Sequence, residues 1–484
     1  MPVEQAPEII WHALSPMLIL LAGGMLLLLV GVFAPALPRR FLAIGSFLTV
    51  VLSGIFLAAQ LPSQPRITMN DMVIIDGVGL FASMVILAAA AFVIPVTHSY
   101  LREHGWNRVE YQPLLLFATL GMVMLATAND LIMVFIAIEV LSLALYTMVG
   151  IAKRERTAQE ASLKYFLLGA FSSAILLYGV ALLFGGTGST RIPAIADTIA
   201  AGGADGRLVF AGLALLITGF AFKIGAVPFH AWTPDVYQGA PTAVTAFMAA
   251  GTKAAAFAAL LRTLLVSFGA IAWDWRPVLW AIAIASMVLG SVVAIVQTDI
   301  KRMLGYSSVA HAGFILIGVV AADRDGLASS LFYLAVYALM TIGAFVSVMA
   351  SGRGDDERSD LASWAGLGHA EPLFAGVMTF FLLSLAGIPP TGGFAAKFLV
   401  FAAAEGQGET GLVIVGVLSS VVAAFFYLRV IVLMWLQDPL DMQRSALDRV
   451  SAWTLGAAAG LVAIIGIYPQ ALIDLARNAA TLAG

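Results

Sequence analysis

Apolar runs long enough to cross a bilayer, about 20 residues each, recur along the whole chain. They fall near 14–34, 41–60, 76–96, 112–128, 129–150, 159–185, 208–237, 241–267, 277–297, 302–322, 327–350, 371–404, 410–436 and 451–471. The pattern predicts about fourteen transmembrane helices; only Ala128–Asp130 separates segments 4 and 5, so thirteen also fits. The longest polar connections, near 98–111, 186–207 and 351–370, are too short for a soluble domain. An all-α polytopic membrane protein follows.

Segments 7 and 12 depart from the others. Each is about 30 residues long and is interrupted, by Pro228 in Lys223-IGAVPFHAW and by Pro389 and Pro390 in Gly387-IPPTGGFAAK. Discontinuous helices at matching places in two halves point to a transport site. Segments 4–8 (112–270) and 9–13 (271–437) then form two five-helix units. An odd helix count makes the second unit inverted relative to the first. Residues 1–111 precede them as three helices, and 438–484 follow with the fourteenth. Ser162-Leu-Lys-Tyr in segment 6 aligns with Ser330-Leu-Phe-Tyr in segment 11, so Phe332 takes the place of Lys164.

Composition agrees with the pattern. Of 484 residues 61% are hydrophobic and only 11% charged, against about 25% charged in soluble domains. A net charge of −3 offers nothing to nucleic acid, and the absence of cysteine excludes disulfides, thiolate zinc and cysteine-ligated Fe–S clusters. Six scattered histidines do not suggest a metal or haem site. Pro2 to Trp11 lacks the basic start of a cleavable signal peptide. With the N-terminus outside, thirteen Lys/Arg fall in cytoplasmic loops, including Arg39, Arg40, Lys153, Arg154, Lys301, Arg302, Arg353 and Arg444, against six outside. That bias places both termini on the periplasmic side.

The charges that remain inside are the candidate chemistry. A lysine at mid-membrane costs roughly 3 kcal/mol on insertion scales. Lys223 and Lys253 fall near the middle of segments 7 and 8, and Glu139 near the middle of segment 5. Lys164, a turn and a half into segment 6, lies at a depth that two long side chains could bridge to Glu139. Burial disfavours a lysine's charge and a nearby carboxylate favours it, so small rearrangements can move its proton. His230 and His311 are candidate bridging groups, and Lys397, just past the second break, suits an exit. Arg429 reads as a snorkelling anchor and Asp76 as a boundary residue. Irregular backbone at membrane depth must be buried or line water, so water is expected near Lys223 and Lys397. The implied path rises from the cytoplasm, runs laterally through Glu139, Lys164, Lys223 and Lys253, and leaves past Lys397.

These stretches also resemble a known family. LIMVFIAIEVLSL (131–143), ASLKYFLLGA (161–170), FKIGAVPFHAWTPDVYQGAPT (222–242), GTKAAAF (251–257), IKRMLGYSSVAHAGF (300–314) and LAGIPPTGGFAAKF (385–398) are similar to the antiporter-like subunits of respiratory complex I. The likeness covers essentially the whole chain and is nearest to the N-type subunits of bacterial NADH:quinone oxidoreductase. It implies that Glu139, Lys223, Lys253 and Lys397 match the family's proton-transfer positions. It implies a proton-translocating subunit of the inner membrane, surrounded by lipid, beside homologous M and L subunits, small K, J, A and H subunits and a peripheral arm. Quinone, FMN and Fe–S clusters would then belong to partner subunits, with no cofactor here. A multi-chain cation/proton antiporter or the membrane arm of a hydrogenase-type complex would use the same charges.

Overall fold

The computed structural model describes residues 9–61, 64–352, 357–438, 445 and 447–482. Arg353 and Arg444, two of the cations used for orientation, lie outside the described residues. The chain opens with α1 (Trp11–Phe33) and α2 (Arg40–Ala58), then a hairpin of β1 (Arg66–Thr68) and β2 (Val73–Ile75). There follow α3 (Gly77–Glu103), α4 (Tyr111–Ala126), α5 (Leu131–Val149), α6 (Arg156–Thr187) and a short α7 (Ile192–Ala200). Segment 7 is α8 (Gly206–Ile224) plus α9 (Trp232–Gly239), and α10 (Thr242–Arg262) continues as a π-helical turn, Thr263–Ser267. Next come α11 (Ala272–Ile295), α12 (Ile300–Ala321), α13 (Arg324–Met349) and the single turn α14 (Leu367–Ala370). Segment 12 is α15 (Pro372–Ala386) plus α16 (Gly392–Gly406); α17 (Thr410–Leu436), α18 (Arg449–Ile467) and α19 (Gln470–Ala479) complete the chain.

Twelve of these helices are long and apolar enough to cross a membrane, and α4 and α15 are shorter apolar helices. All fourteen expected segments are therefore present, with Thr127–Asp130 as the turn between the fourth and fifth. The face where α1 begins, here the near face, also carries the hairpin and α19. The opposite, far face carries the turns before α6 and α12. Both ends of the described chain meet the near face: Ile10 N donates to Thr68 Oγ1 at 2.9 Å, and α19 packs on α3 and α13.

Burial is graded. The α10 span is wholly buried and α12 and α13 nearly so, whereas α1, α2, α17 and α18 show mostly exposed apolar faces. Without a hydrophobic force between helices in lipid, such bundles rely on close packing of small residues. The α11–α12 pair shows this directly: a Cβ at Gly290 would meet Ala310 N at 2.6 Å, and one at Gly313 would meet Ala283 O at 2.7 Å.

Asp76 stands at the boundary, as the first turn of α3 requires, and does more than mark it. It caps α3 through Gly79 N and forms a bidentate pair with Arg262, Nη1–Oδ2 2.6 Å and Nη2–Oδ1 2.7 Å, with both side chains fully buried. The pair pins α10 to α3 just before the π-helical turn. Arg429 likewise does more than snorkel: its Nη1 donates to the carbonyls of Ile295 (2.8 Å) and Gln297 (3.1 Å), satisfying the end of α11. Breaking one partner of a buried pair costs about 3–5 kcal/mol. Asp76→Asn and Arg262→Gln should each sharply lower the amount of assembled protein on native gels. The double substitution Asp76→Leu/Arg262→Met should recover part of it; a double variant as depleted as either single one would remove this account of the pair.

Candidate functional site: a chain of buried lysines between two helix breaks

Both breaks are built alike. Gly225 (φ +73°) and Gly387 (φ +85°) sit in the left-handed region that ends a helix. In each, the following amide returns to the helix: Ala226 N to Ala221 O at 2.8 Å, and Ile388 N to Leu383 O at 3.0 Å. Each break holds a cis proline peptide, Val227–Pro228 and Pro389–Pro390. The freed carbonyls need donors. Trp232 Nε1 supplies Phe222 O at 2.9 Å, and Lys397 Nζ supplies Ala386 O at 2.9 Å.

Lys397 thus folds back onto the break instead of reaching towards the near face. Its ammonium also donates to Ser420 Oγ at 2.8 Å and lies 4.6 Å from the Phe314 ring centroid. Lys223 donates to Ser142 Oγ at 2.7 Å and lies 5.9 Å from the Tyr165 ring. Lys253 donates to Ser308 O at 2.5 Å and Ser308 Oγ at 2.7 Å, with the Tyr337 ring at 5.1 Å. All three are buried, and each is met by neutral oxygens and an aromatic face. None of them is in an ion pair among the described residues.

Between them runs a thread of aromatic and polar side chains. Tyr165 stacks on Trp232 (4.8 Å, 14°), Trp232 meets Tyr237 edge-on at 6.3 Å, and the Tyr237 hydroxyl lies 3.5 Å from Ser308 Oγ, the partner of Lys253. On α12, Ser307, Ser308 and His311 share one face, because positions three and four apart are helix neighbours. His311 Nδ1 is 2.8 Å from Tyr333 Oη and Nε2 is 3.2 Å from Tyr427 Oη, and Tyr427 in turn pairs with Ser307. The Phe314 ring, 6.0 Å from His311, carries Lys397. The thread therefore joins the first break to the second.

Two expected members stand elsewhere. Lys164 does not meet Glu139 here; it pairs with Glu160 (2.8 Å) and Asp235 (2.8 Å). Depth along two helices was the right quantity, but the azimuth of Lys164 on α6 turns it towards α9. Asp235 also takes Arg302 at 2.6 Å. These four line a polar cavity of about 470 Å3 on the far face. His230 lies outside the thread, half-buried in the turn of the break with Tyr306 at 6.4 Å, because Val227 N bonds Ser286 Oγ and turns this segment towards α11. Glu139 is half-buried one turn from Ser142, near enough to act on Lys223 through space, and its Oε1 has no hydrogen-bond partner. A crevice of about 10 Å3 borders Lys223, Ser172 and Ser173, close to the space one water needs.

Ser142, Ser308, Ser420, Asp235 and the five tyrosines were not singled out from the sequence. A signal existed, since tyrosine in an apolar helix brings a hydroxyl that must find a partner.

The fold and the thread define a class: a polytopic helical membrane protein with buried lysines set between two broken helices. Residues 128–423 match the family described as NADH:quinone oxidoreductase/Mrp antiporter, TM. The chain is 45% identical to an NADH-quinone oxidoreductase subunit N from a Parafrankia species, over 98% of this chain and 96% of the relative. It is also similar to a chain of respiratory complex I from Thermus thermophilus with bound aureothin, at 33% identity and TM-score 0.82, covering 95% of this chain and 98% of that one. A chain of the Mrp complex from a Dietzia species shares the fold, with TM-score 0.87, 21% identity and coverage of 98% and 97%. The chain belongs to the NADH-quinone oxidoreductase subunit N family, and so is a membrane subunit of a multi-subunit complex.

Three lysine amines buried against neutral dipoles, with no counter-ion, cost more than apolar side chains of the same volume would. Lys253→Met should raise the melting temperature of the solubilised complex, because it removes a buried amine that has no counter-ion. An unchanged or lowered melting temperature in calorimetry would mean that the lysines stabilise the fold.

Proposed function

We propose that this chain is a proton-translocating subunit of a bacterial NADH:quinone oxidoreductase, moving protons through the Lys223–Lys253–Lys397 thread while quinone is reduced in neighbouring subunits. The observation that carries the reading is the thread itself: three buried lysines bonded to neutral oxygens, with aromatic rings, hydroxyls and one imidazole between them, from one helix break to the other. The family membership supports it.

On this reading the far face is cytoplasmic and both termini lie on the periplasmic side of the inner membrane. The far-face cavity then admits water as far as Lys164 and Asp235. Segments 4–8 and 9–13 are two inverted units, which accounts for the matching glycines and prolines at 225/228 and 387/390. The homologous M and L subunits, the smaller K, J, A and H subunits and the peripheral arm surround it, and FMN, Fe–S clusters and quinone sit in those partners.

The energetics suit such a device. Moving one charge against 100 mV costs about 2.3 kcal/mol. A hydrogen bond to a charged group contributes about 1.5–3 kcal/mol. Gaining or losing one serine or carboxylate partner is thus enough to decide whether Lys223 holds its proton. Glu139, with an unpartnered oxygen one turn from Ser142, is the natural moving charge, and coupling at a distance requires it to have two discrete positions.

Lys223→Ala in inverted membrane vesicles tests the reading. NADH oxidation and NADH-driven acidification should both fall at least tenfold in an assembled complex. Unchanged rates, with loss of sodium-driven proton exchange instead, would assign the chain to a cation/proton antiporter.

A further inference from the structure

Glu139, Ser142 and Tyr146 fall three and four positions apart along α5 and so share one face of it. Tyr146 is buried, and its hydroxyl is seated on α6 at Gly169, where a Cβ would lie 1.9 Å from Tyr146 Oη and 2.8 Å from its Cζ. Only a residue without a side chain lets the oxygen approach so closely. The ring is held on its other sides by Tyr165, edge-on at 4.7 Å and 89°, and by Phe166 at 5.8 Å. Tyr165 is also the ring that faces Lys223.

The polar groups around that hydroxyl are not saturated. A serine hydroxyl offers one donor and two acceptor sites. Ser142 donates to Ile138 O and accepts from Lys223, which leaves one acceptor site for the neighbouring Tyr146 hydroxyl. An ammonium has three donors, and among the described residues Lys223 uses one, to Ser142. One turn beyond Gly169 on α6, the buried Ser172 and Ser173 hydroxyls enter no hydrogen bond among the described residues. Tyr146, Gly169, Ser172, Ser173 and Lys223 all border the crevice of about 10 Å3. A phenol, two serines and an ammonium thus converge on room for about one water.

We propose that Tyr146 is a positioning residue for proton transfer at Lys223. Its hydroxyl holds Ser142 towards the lysine, and with Ser172 and Ser173 it shapes a one-water site that offers Lys223 a second oxygen partner. Lys223 then has two discrete arrangements, one on Ser142 alone and one shared with that water. The proposal rests on the reading of Lys223 as a proton carrier. A ring that only fills space differs from it in one respect: the hydroxyl by itself would not touch the lysine's proton.

Tyr146→Phe removes one oxygen and keeps the ring. In inverted vesicles carrying the assembled complex, NADH-driven acidification should fall about three- to tenfold, the range one neutral hydrogen bond allows. Its pH–rate profile should move by about half a unit to one unit, because the same free energy acts on the lysine's proton. Gly169→Ala, whose methyl takes the place of the hydroxyl, should be slower still. Tyr146→Phe/Gly169→Ser returns a hydroxyl to that place from α6, and should restore the profile and bring the rate to within about twofold of the parent. Ser172→Ala/Ser173→Ala, with the same shift expected, serves if Tyr146→Phe does not assemble on native gels. An unmoved profile in Tyr146→Phe, whatever its rate, or no recovery in the double variant would overturn the proposal. If Lys223→Ala leaves pumping intact, the transport reading itself fails. If Lys223→Ala stops pumping and the Tyr146→Phe profile stays in place, only the positioning role fails.

Discussion

An ammonium group in a low-dielectric interior must be met by oxygen, and three of them set the terms for this structure. Helices consume most of their own carbonyl capacity, so buried lysines are best served where a helix stops or where another helix offers a hydroxyl. Lys397 uses the first solution, taking Ala386 O at the second break. Lys223 uses the second, through Ser142 on α5. Lys253 also uses a hydroxyl, Ser308 Oγ on α12, and shares the mid-helix carbonyl of the same residue. The breaks at Gly225 and Gly387, the serines on α5, α12 and α17, and the tyrosine rings all follow from that demand.

The same demand explains why α10 is the most buried helix. Lys253 must be hidden from lipid on every side, so α3, α4, α12 and α13 pack around it. The Asp76–Arg262 pair then fixes the end of α10 to α3 and leaves the π-helical turn beyond it. At the far face Glu357 gathers the Tyr100 hydroxyl (2.9 Å), Thr242 and, at 3.8 Å, Lys301, tying α3, α10 and α12 beneath the polar cavity. The thread is therefore held rigidly at both ends of α10, while Lys164, Glu160 and Asp235 at the cavity wall remain partly exposed to water.

How much could be read beforehand differs by element. The fourteen spans were legible because hydrophobicity and length decide membrane insertion, and both breaks because Pro-Pro and Gly-x-x-Pro leave few alternatives. Lys223, Lys253 and Lys397 were legible because a buried cation is too costly to be incidental. The partners were not. Depth along a helix is readable from residue count, but azimuth is not, so Lys164 could be placed level with Glu139 and still face Asp235. Ser142 and Ser308 look like ordinary small residues until the lysine opposite is known. Asp76, at a span boundary, gave no sign of the arginine brought to it from the C-terminal end of α10.

The central claim is that the lysines act in series along one thread. A double-substitution cycle on Ser308→Ala and Tyr427→Phe, read as NADH-driven acidification in inverted vesicles, tests it most directly. These residues hold Lys253 and His311 without carrying charge themselves. Steps in one path are not independent, so each single variant should slow acidification several-fold and the double should be little worse than the slower single one. Strictly additive losses in free energy would mean that the two ends work separately, and the thread would not be a conduit.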